Sequence, residues 1–310
     1  MRDLGSRAFA LGFESPCPHQ VAANEMTFAA IFSNGSIISL EVRMVFPFYF
    51  WLVVAVAFAI SAIGFKNYIW FFSIGYGLAI AGEGLLLLLL YGKSLSLGTA
   101  LCCLLFVIYG LRLGGYLAYR EVKLRSYYQH VGDDIKDNKT IPMVAKISIW
   151  VFCALLYVTM VCPVFYRLNN GSGSDVFTYV GVVFMLLGFL METVADQQKK
   201  AAKTIDPHHF VSTGLYRFVR CPNYLGEVIL WTGVFISGFG SLNSFGQWAL
   251  AIIGYLGILY VMFSGARRLE LRQSKTYGDD PTYQEYSRTV PIILPFIPLY
   301  SVAKHKWLVA

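Results

Sequence analysis

The sequence predicts an all-α integral membrane protein, folded as a bundle of about seven transmembrane helices. Hydrophobic residues make up 56% of the 310 residues and charged residues only 14%, whereas a soluble domain carries about 25% charged residues. Several apolar runs approach or exceed the roughly 20 residues that an α-helix needs to cross a bilayer. A chain in lipid must satisfy its own backbone hydrogen bonds, so these runs are expected to be helical.

The apolar runs divide the chain into candidate spans and an N-terminal segment of different character. Residues 1–43 show no sustained period and no compact apolar core, so they are expected to form a disordered N-terminal extension. Met44 opens directly onto the first apolar run and is an alternative start of the protein. The membrane domain is expected to cover residues 44–310. Its spans are expected at residues 45–65, 69–91, 95–118, 143–166, 175–194, 223–240 and 245–265.

The positions of Lys and Arg predict how the bundle is oriented. Most of these residues fall in the connections after the first, third and fifth spans and in the C-terminal tail. Basic connections are typically cytoplasmic, which places the N-terminus outside and the C-terminus in the cytoplasm. This orientation accounts for the net charge of +7 without nucleic acid as a partner. An endoplasmic reticulum membrane and a bacterial inner membrane fit the pattern equally well.

Cysteine and histidine residues do not form a metal-binding or disulfide pattern. The six cysteines include no C-x-x-C spacing, and four of them lie inside apolar runs, where small buried hydrophobic residues are common. His208 and His209 are adjacent but have no Cys or carboxylate at ligand spacing. We therefore expect no metal site, and we expect the two histidines to belong to a polar lid or a ligand contact.

Ionisable residues inside membrane spans are costly, so each of them is a candidate for function. Glu83 lies between two glycines, which would let a backbone or a ligand approach closely. Tyr109, Arg112 and Tyr116 are spaced to share one helix face. Structural explanations stay open, because Glu83 could be a structural acid, and Arg112 could pair with it or extend its charge towards water.

Glu192 and Asp196 form a second acidic group at the end of the fifth span. They are four residues apart and therefore lie on one helix face. Lys199, Lys200 and Lys203 follow in what is expected to be a polar loop. One of the two acids could instead lie at a solvated helix end.

The stretch from Ser212 to Gly233 joins a cationic segment to an apolar helix. Arg217 and Arg220 stand just before Pro222, which suits the first turn of a helix. Free N–H groups at such a helix start favour phosphate. Asn223 and Glu227 share one face of the same helix. A charged cap on a membrane helix is the alternative explanation.

This stretch carries a resemblance to a known family. The segment T-G-L-Y-R-F-V-R-C-P-N-Y-L-G-E-V-I-L-W is preceded by A-D-Q-Q-K and followed by Y-x-x-Y-S-R-T-V-P-I-I-L-P. Over roughly residues 69–298 the chain resembles the steroid 5α-reductase C-terminal family and its bacterial relatives of unknown function. Isoprenylcysteine methyltransferases carry a similar R-x-P-x-Y-x-G junction. The chain departs from the pattern at Gly82, where these reductases carry Gln, and at Cys221, where the bacterial relatives carry His.

The resemblance implies a membrane reductase that holds NADPH in a cytoplasm-facing cavity. Glu83 and Tyr109 would hydrogen-bond a carbonyl of the substrate. The residues that the resemblance and the charge of the junction assign to the cofactor are Arg112, Tyr116, Arg120, Asp196, Lys203, Arg217, Arg220, Asn223, Glu227, Arg267 and Tyr277.

The implied reaction is reduction of a C=C bond conjugated to a carbonyl in a lipid or steroid-like substrate. NADPH would supply hydride to the β-carbon, and Tyr109 would donate a hydrogen bond to the carbonyl oxygen as negative charge develops there. Glu83 must be protonated to support that bond. Two other interpretations stay open, an isoprenylcysteine-type membrane methyltransferase that uses S-adenosylmethionine and a non-enzymatic lipid-binding membrane protein.

Overall fold

A computed structural model describes residues 45–131 and 141–308 of the chain, with the side chains of residues 122–131 excepted. The chain divides into two units, Met1–Val45 and Phe46–Ala310, and the expected extension at residues 1–43 lies outside the described residues. The described residues contain eight α-helices and no strand. The helices are α1 (Phe48–Ser61), α2 (Ile74–Tyr91), α3 (Leu97–Val131), α4 (Met143–Asn169), α5 (Val176–Ile205), α6 (Pro222–Ser237), α7 (Phe245–Tyr277) and α8 (Pro281–Thr289).

Six helical segments of the described chain are long and apolar enough to cross a membrane. They are Phe48–Phe65, Ile74–Tyr91, Leu97–Glu121, Met143–Asn169, Val176–Ile205 and Phe245–Tyr277. Large apolar side chains such as Phe177, Leu187 and Leu190 point outward from α5, and such a surface is suited to contact with lipid. The all-α membrane fold is therefore confirmed, and the protein is an integral, multi-pass membrane protein.

The seventh expected span, residues 223–240, is present as α6 but is short. This helix has 16 residues, so it is about 24 Å long, against roughly 30 Å for the hydrocarbon core of a bilayer. Most of its side chains are buried against other helices. It is therefore an inner helix of the bundle, and its apolar side chains mainly contact other helices.

Three helices continue well past the apolar stretch that predicted them. α3, α5 and α7 end at Val131, Ile205 and Tyr277, because backbone hydrogen bonding does not stop where side chains become polar. The expectation of a loop after the fifth span was wrong, since α5 carries this segment as helix. As a result Glu192, Asp196, Lys199 and Lys203 lie at helical spacing along one face of α5.

Backbone contact between glycines joins α5 to α6. Gly181 meets Gly233, and Gly188 meets Gly226, so the two antiparallel helices touch at two points seven residues apart on each. Close approach through small residues is the usual way in which membrane helices pack. A Cβ atom added to Gly226 would lie 2.7 Å from the backbone nitrogen of Glu192. This packing therefore brings the acidic end of α5 to the start of α6.

We expect Gly181→Ala to destabilise the protein by about 1–3 kcal/mol, the usual cost of overpacking. The added methyl group would lie 2.6 Å from the carbonyl oxygen of Gly233, so the helices would have to separate. Thermal unfolding in detergent measures the effect. The matched control is Gly115→Ala in α3, where the new methyl group meets nothing within 4 Å. Equal melting temperatures for the two variants would contradict this account of the packing.

A buried arginine holds together the bundle end at which α4 meets α5. Arg167 is 1% exposed and forms an ion pair of 2.9 Å with Asp175. Its guanidinium also donates to the carbonyl oxygens of Gly173, Ser237 and Phe239. Because these partners occupy the guanidinium, this end of the bundle is a structural cap.

The C-terminal tail folds back onto the start of α6 and the end of α7. The backbone N–H groups of Arg220 and Cys221 donate to the carbonyl oxygens of Pro291 and Ile292, each at 2.9 Å. Arg267 donates to backbone carbonyl oxygens of the tail. A small apolar cluster supports the same contact. Its buried members are Val219, Cys221, Leu225, Ala266, Ile292, Ile293, Val302 and Leu308.

Candidate active site

The centre of the candidate site is the hydroxyl group of Tyr76 on α2. This oxygen lies 3.0 Å from the hydroxyl of Tyr109 on α3 and donates to Glu227 Oε2 on α6 at 3.1 Å. It also accepts a hydrogen bond from the indole nitrogen of Trp231 at 2.8 Å. All four side chains are less than 10% exposed. Three helices therefore meet at one buried phenol.

Close packing of α2 on α3 explains this meeting. Gly77 lies against the backbone of Gly110 and Gly114, and Gly84 lies against Phe106. Tyr109 lies on α3 between these two contacts, opposite the two turns of α2 that run from Tyr76 to Glu83. The ring of Tyr109 packs edge-on to Trp231, with centroids 6.1 Å apart.

Arg112, one turn after Tyr109 on α3, forms a second group of polar contacts in the site. It pairs with Glu192 and with Asp196, each at 2.6 Å, and lies over the ring of Tyr116 at 5.6 Å. The alternative in which Arg112 pairs with Glu83 is therefore wrong. So is the alternative of a solvated helix end, since both acids of α5 are bound to the same guanidinium.

Two buried oxygen atoms near Arg112 and its acidic partners have no hydrogen-bond partner among the described residues. They are Glu192 Oε2 and Asn223 Oδ1, at the contact between α5 and the start of α6. Buried polar atoms without partners are rare and call for an explanation. A ligand with hydroxyl or amide donors would satisfy both.

Glu83 is the most deeply buried acid of the site. It is 0% exposed, and both carboxylate oxygens are without a hydrogen-bond partner in the described part of the chain. It lies on the Tyr76 face of α2, two turns or about 10.5 Å further along the helix. The structure does not join Glu83 to Tyr109 by a hydrogen bond, so its role at a substrate carbonyl stays a prediction.

A cationic cavity lies between the ends of α5 and α7. Its volume is about 240 Å³, and none of the residues that line it is acidic. Lys199, Lys203, Arg220 and Arg272 supply four positive charges to its wall. Arg220 is 3% exposed, and its Nε atom has no partner among the described residues.

Other contacts hold this cavity in shape. Lys203 donates to the hydroxyl of Tyr277 at 3.1 Å and to the carbonyl oxygen of Pro207 at 2.9 Å. Arg220 pairs with Glu270 at 3.1 Å and donates to the carbonyl oxygen of Tyr300. The cavity wall therefore depends on both α7 and the tail.

The remaining residues that were assigned to a cofactor lie outside the Tyr76 centre, the Arg112 contacts and the cationic cavity. Arg120 and Arg217 are exposed, and Arg267 is bound to the tail. Cys221 is buried, and burial raises the pKa of its thiol to about 12. This thiol is consequently neutral near pH 7 and is a poor nucleophile.

Sequence reasoning missed Tyr76 and Trp231. Tyr76 is one of 20 tyrosines and is not close in sequence to any of its partners. A signal was present, because Tyr76 and Glu83 are seven residues apart and share a helix face. Trp231 follows Glu227 by one turn in the same way.

Together the fold and the site define a multi-pass helical membrane protein with a buried tyrosine–glutamate centre. The family described as "Protein of unknown function (DUF1295)" matches residues 57–290, and the chain belongs to this family. It is similar to an uncharacterized protein of Schizosaccharomyces pombe, with 24% identity over 210 residues, or 59% of this chain and 57% of the relative. The chain thus spans just over half the length of that relative. No solved structure matches it.

Proposed function

We propose that the protein is an NADPH-dependent membrane reductase that reduces the C=C bond of an enone-type lipid or steroid-like substrate. The observation that carries the proposal is the path of polar groups along α5. Polar residues of α5 run from Lys199 and Lys203 in the cationic cavity to Glu192. Glu192 packs against Gly226, the residue before Glu227 of the buried centre. The likeness of the Ser212–Gly233 stretch to steroid 5α-reductases supports the same chemistry.

The residues present fit a dinucleotide phosphate. The cavity of about 240 Å³ is below the roughly 300–1,000 Å³ of pockets that hold a whole ligand, so it suits the phosphate-bearing part. Arg272 can bind phosphate with two parallel hydrogen bonds, and Arg220 can add a bond from its unpartnered Nε. Glu192 and Asn223 offer unpartnered acceptors to ribose hydroxyl or carboxamide groups.

The side chains around the centre have separate tasks in this proposal. When bound, NADPH would supply the hydride for the β-carbon, and solvent would supply the proton that the α-carbon takes up. Tyr109 holds a hydrogen at the carbonyl oxygen of the substrate and stabilises the negative charge that develops there, an effect that is strong in a site without water. Arg112 keeps the two acids of α5 in place beside the cofactor. The apolar helices around Tyr109 exclude water.

Thermal unfolding of detergent-purified protein with NADPH, NADH or S-adenosylmethionine tests the proposal. We expect stabilisation by NADPH, followed by formation of the saturated product from a panel of steroid and isoprenoid enones. Stabilisation by S-adenosylmethionine alone would make the protein a methyltransferase. No stabilisation by any of the three would favour a non-enzymatic lipid-binding protein.

We expect Arg272→Met to weaken NADPH binding by about 10- to 100-fold, because a hydrogen bond to a charged group contributes about 1.5–3 kcal/mol. Arg272 is exposed and lines the cationic cavity. Arg268→Met is the matched control, since Arg268 is exposed one turn earlier on α7 and does not line the cavity. A titration of both variants with NADPH measures the difference. Equal affinities would contradict the assignment of the cavity to phosphate.

A further inference from the structure

The hydrogen bonds of Tyr76 determine which hydrogen Tyr109 can offer to a substrate. A phenol hydroxyl has one hydrogen and can accept two hydrogen bonds. Tyr76 has three partners in the structure, Trp231, Tyr109 and Glu227. The indole nitrogen of Trp231 can only donate. The directions of the other two bonds are therefore linked through a single hydrogen.

An ionised Glu227 leaves one arrangement. The carboxylate can only accept, so Tyr76 gives its hydrogen to Glu227 Oε2, as the structure has it. The bond between the two phenols must then run from Tyr109 to Tyr76. In this state the hydroxyl hydrogen of Tyr109 is already used, and Tyr109 presents only lone pairs to a substrate. If Tyr109 donated directly to the carboxylate of Glu227 instead, its hydroxyl hydrogen would also be unavailable to a substrate.

A protonated Glu227 reverses the chain. The carboxyl group can donate to Tyr76, and Tyr76 then gives its hydrogen to Tyr109. Tyr76 again accepts two bonds and donates one, so every partner stays satisfied. The hydroxyl hydrogen of Tyr109 is now free. One proton enters on Glu227, and the two phenol hydrogens only change direction, so no other group gains or loses a proton.

We propose that Glu227 and Tyr76 are positioning residues, and that protonation of Glu227 frees the Tyr109 hydroxyl to donate to the carbonyl oxygen of the substrate. The inference rests on the proposed function for the identity of that acceptor. The direction of the chain follows from hydrogen-bond chemistry alone. Tyr76 transmits the state of Glu227 across the contact between α6, α2 and α3.

The charged and titratable groups around Glu227 come from several helices. α3 contributes Tyr109 and Arg112, and α5 contributes Glu192 and Asp196, whose charges are joined to that arginine. α4 contributes Tyr157, which donates to the carbonyl oxygen of Phe71. On α6 itself Tyr224 lies one turn earlier. The part of α7 opposite Glu227, residues 257–265, includes no charged residue. Its tyrosine, Tyr260, donates to the carbonyl oxygen of Trp307.

Infrared difference spectra of the cofactor-free protein, recorded across pH, test the chain without any turnover. The C=O band of protonated Glu227 is assigned by its loss in Glu227→Gln, and the band of Tyr109 by its loss in Tyr109→Phe. We expect the two bands to change with one midpoint in the unaltered protein. In Tyr76→Phe the Tyr109 band should no longer follow Glu227.

Tyr157→Phe is the matched control, since Tyr157 is a buried tyrosine whose ring lies 5.3 Å from that of Tyr76 but outside the chain of hydroxyls. It should keep the common midpoint. The inference is overturned if the Tyr109 band ignores the titration of Glu227, or if it still follows in Tyr76→Phe. It is also overturned if Glu227 keeps one protonation state wherever the protein is folded.

The pH dependence of turnover gives the second readout. Above the midpoint of Glu227, kcat/KM of the unaltered protein should fall about tenfold per pH unit. Tyr76→Phe should show no such fall in that range, because its Tyr109 hydroxyl no longer has Tyr76 as an acceptor. The same pH slope in both proteins would overturn the inference and leave the reductase intact. A coupled infrared titration in a protein without NADPH-dependent turnover would overturn the proposed reaction and leave the coupling of Glu227 to Tyr109 standing.

Discussion

Replacing Tyr109 with phenylalanine is expected to lower the rate of C=C reduction by about 10²- to 10³-fold, the cost of removing one donor from an oxyanion site. The hydroxyl of Tyr109 belongs to the buried centre and is the donor that the proposed reaction assigns to the carbonyl oxygen. Its loss removes charge stabilisation that operates only as the oxygen becomes negative. The effect should therefore appear in kcat, with little change in the affinity for NADPH.

The measurement compares kcat and the dissociation constant of NADPH for Tyr109→Phe and for Tyr157→Phe. Both changes remove a buried phenol hydroxyl from the same aromatic cluster, so both should cost about 1 kcal/mol of folding stability. Only Tyr109→Phe should lower kcat. If both variants lost turnover equally, the effect would come from packing, and Tyr109 would not be the carbonyl donor.

Replacing Arg112 with methionine is expected to lower the free energy of unfolding by about 3–5 kcal/mol, the cost of breaking a buried ion pair by removing one partner. Glu192 is 3% exposed and Asp196 is 14% exposed. Without Arg112 these two acids would face each other on α5 with no cation between them. Thermal and denaturant unfolding in detergent measure the loss.

Two further variants separate the charge effect from the loss of side-chain volume. Arg268→Met makes the same exchange at an exposed position of α7 and should change stability by less than about 0.5 kcal/mol. Adding Glu192→Gln and Asp196→Asn to Arg112→Met should recover part of the loss, because neutral amides do not repel each other. If the triple variant were as unstable as Arg112→Met, repulsion between the acids would not be the cause.

Spacing within one helix could be predicted from sequence, and partners between helices could not. Tyr109, Arg112 and Tyr116 were expected on one face of a helix, and they lie on α3 as expected. The partner of Arg112 was left open, with Glu83 as an alternative. The register of α2 on α3 sets Gly84 against Phe106, and the carboxylate of Glu83 has no hydrogen-bond partner among the described residues. The packing of α5 instead brings Glu192 and Asp196 to Arg112.

The sequence by itself determined the class of the protein, the order of its apolar helices and the residue types available for chemistry. Hydropathy and charge reflect the free energy of moving each side chain from water to lipid, and this free energy is a property of the single residue. The tertiary structure alone decided that Tyr76, Tyr109, Glu227 and Trp231 meet at one point. Their meeting depends on contacts between small residues such as Gly77 with Gly110 and Gly188 with Gly226, because helix register is set by pairwise packing between segments that are distant in the chain.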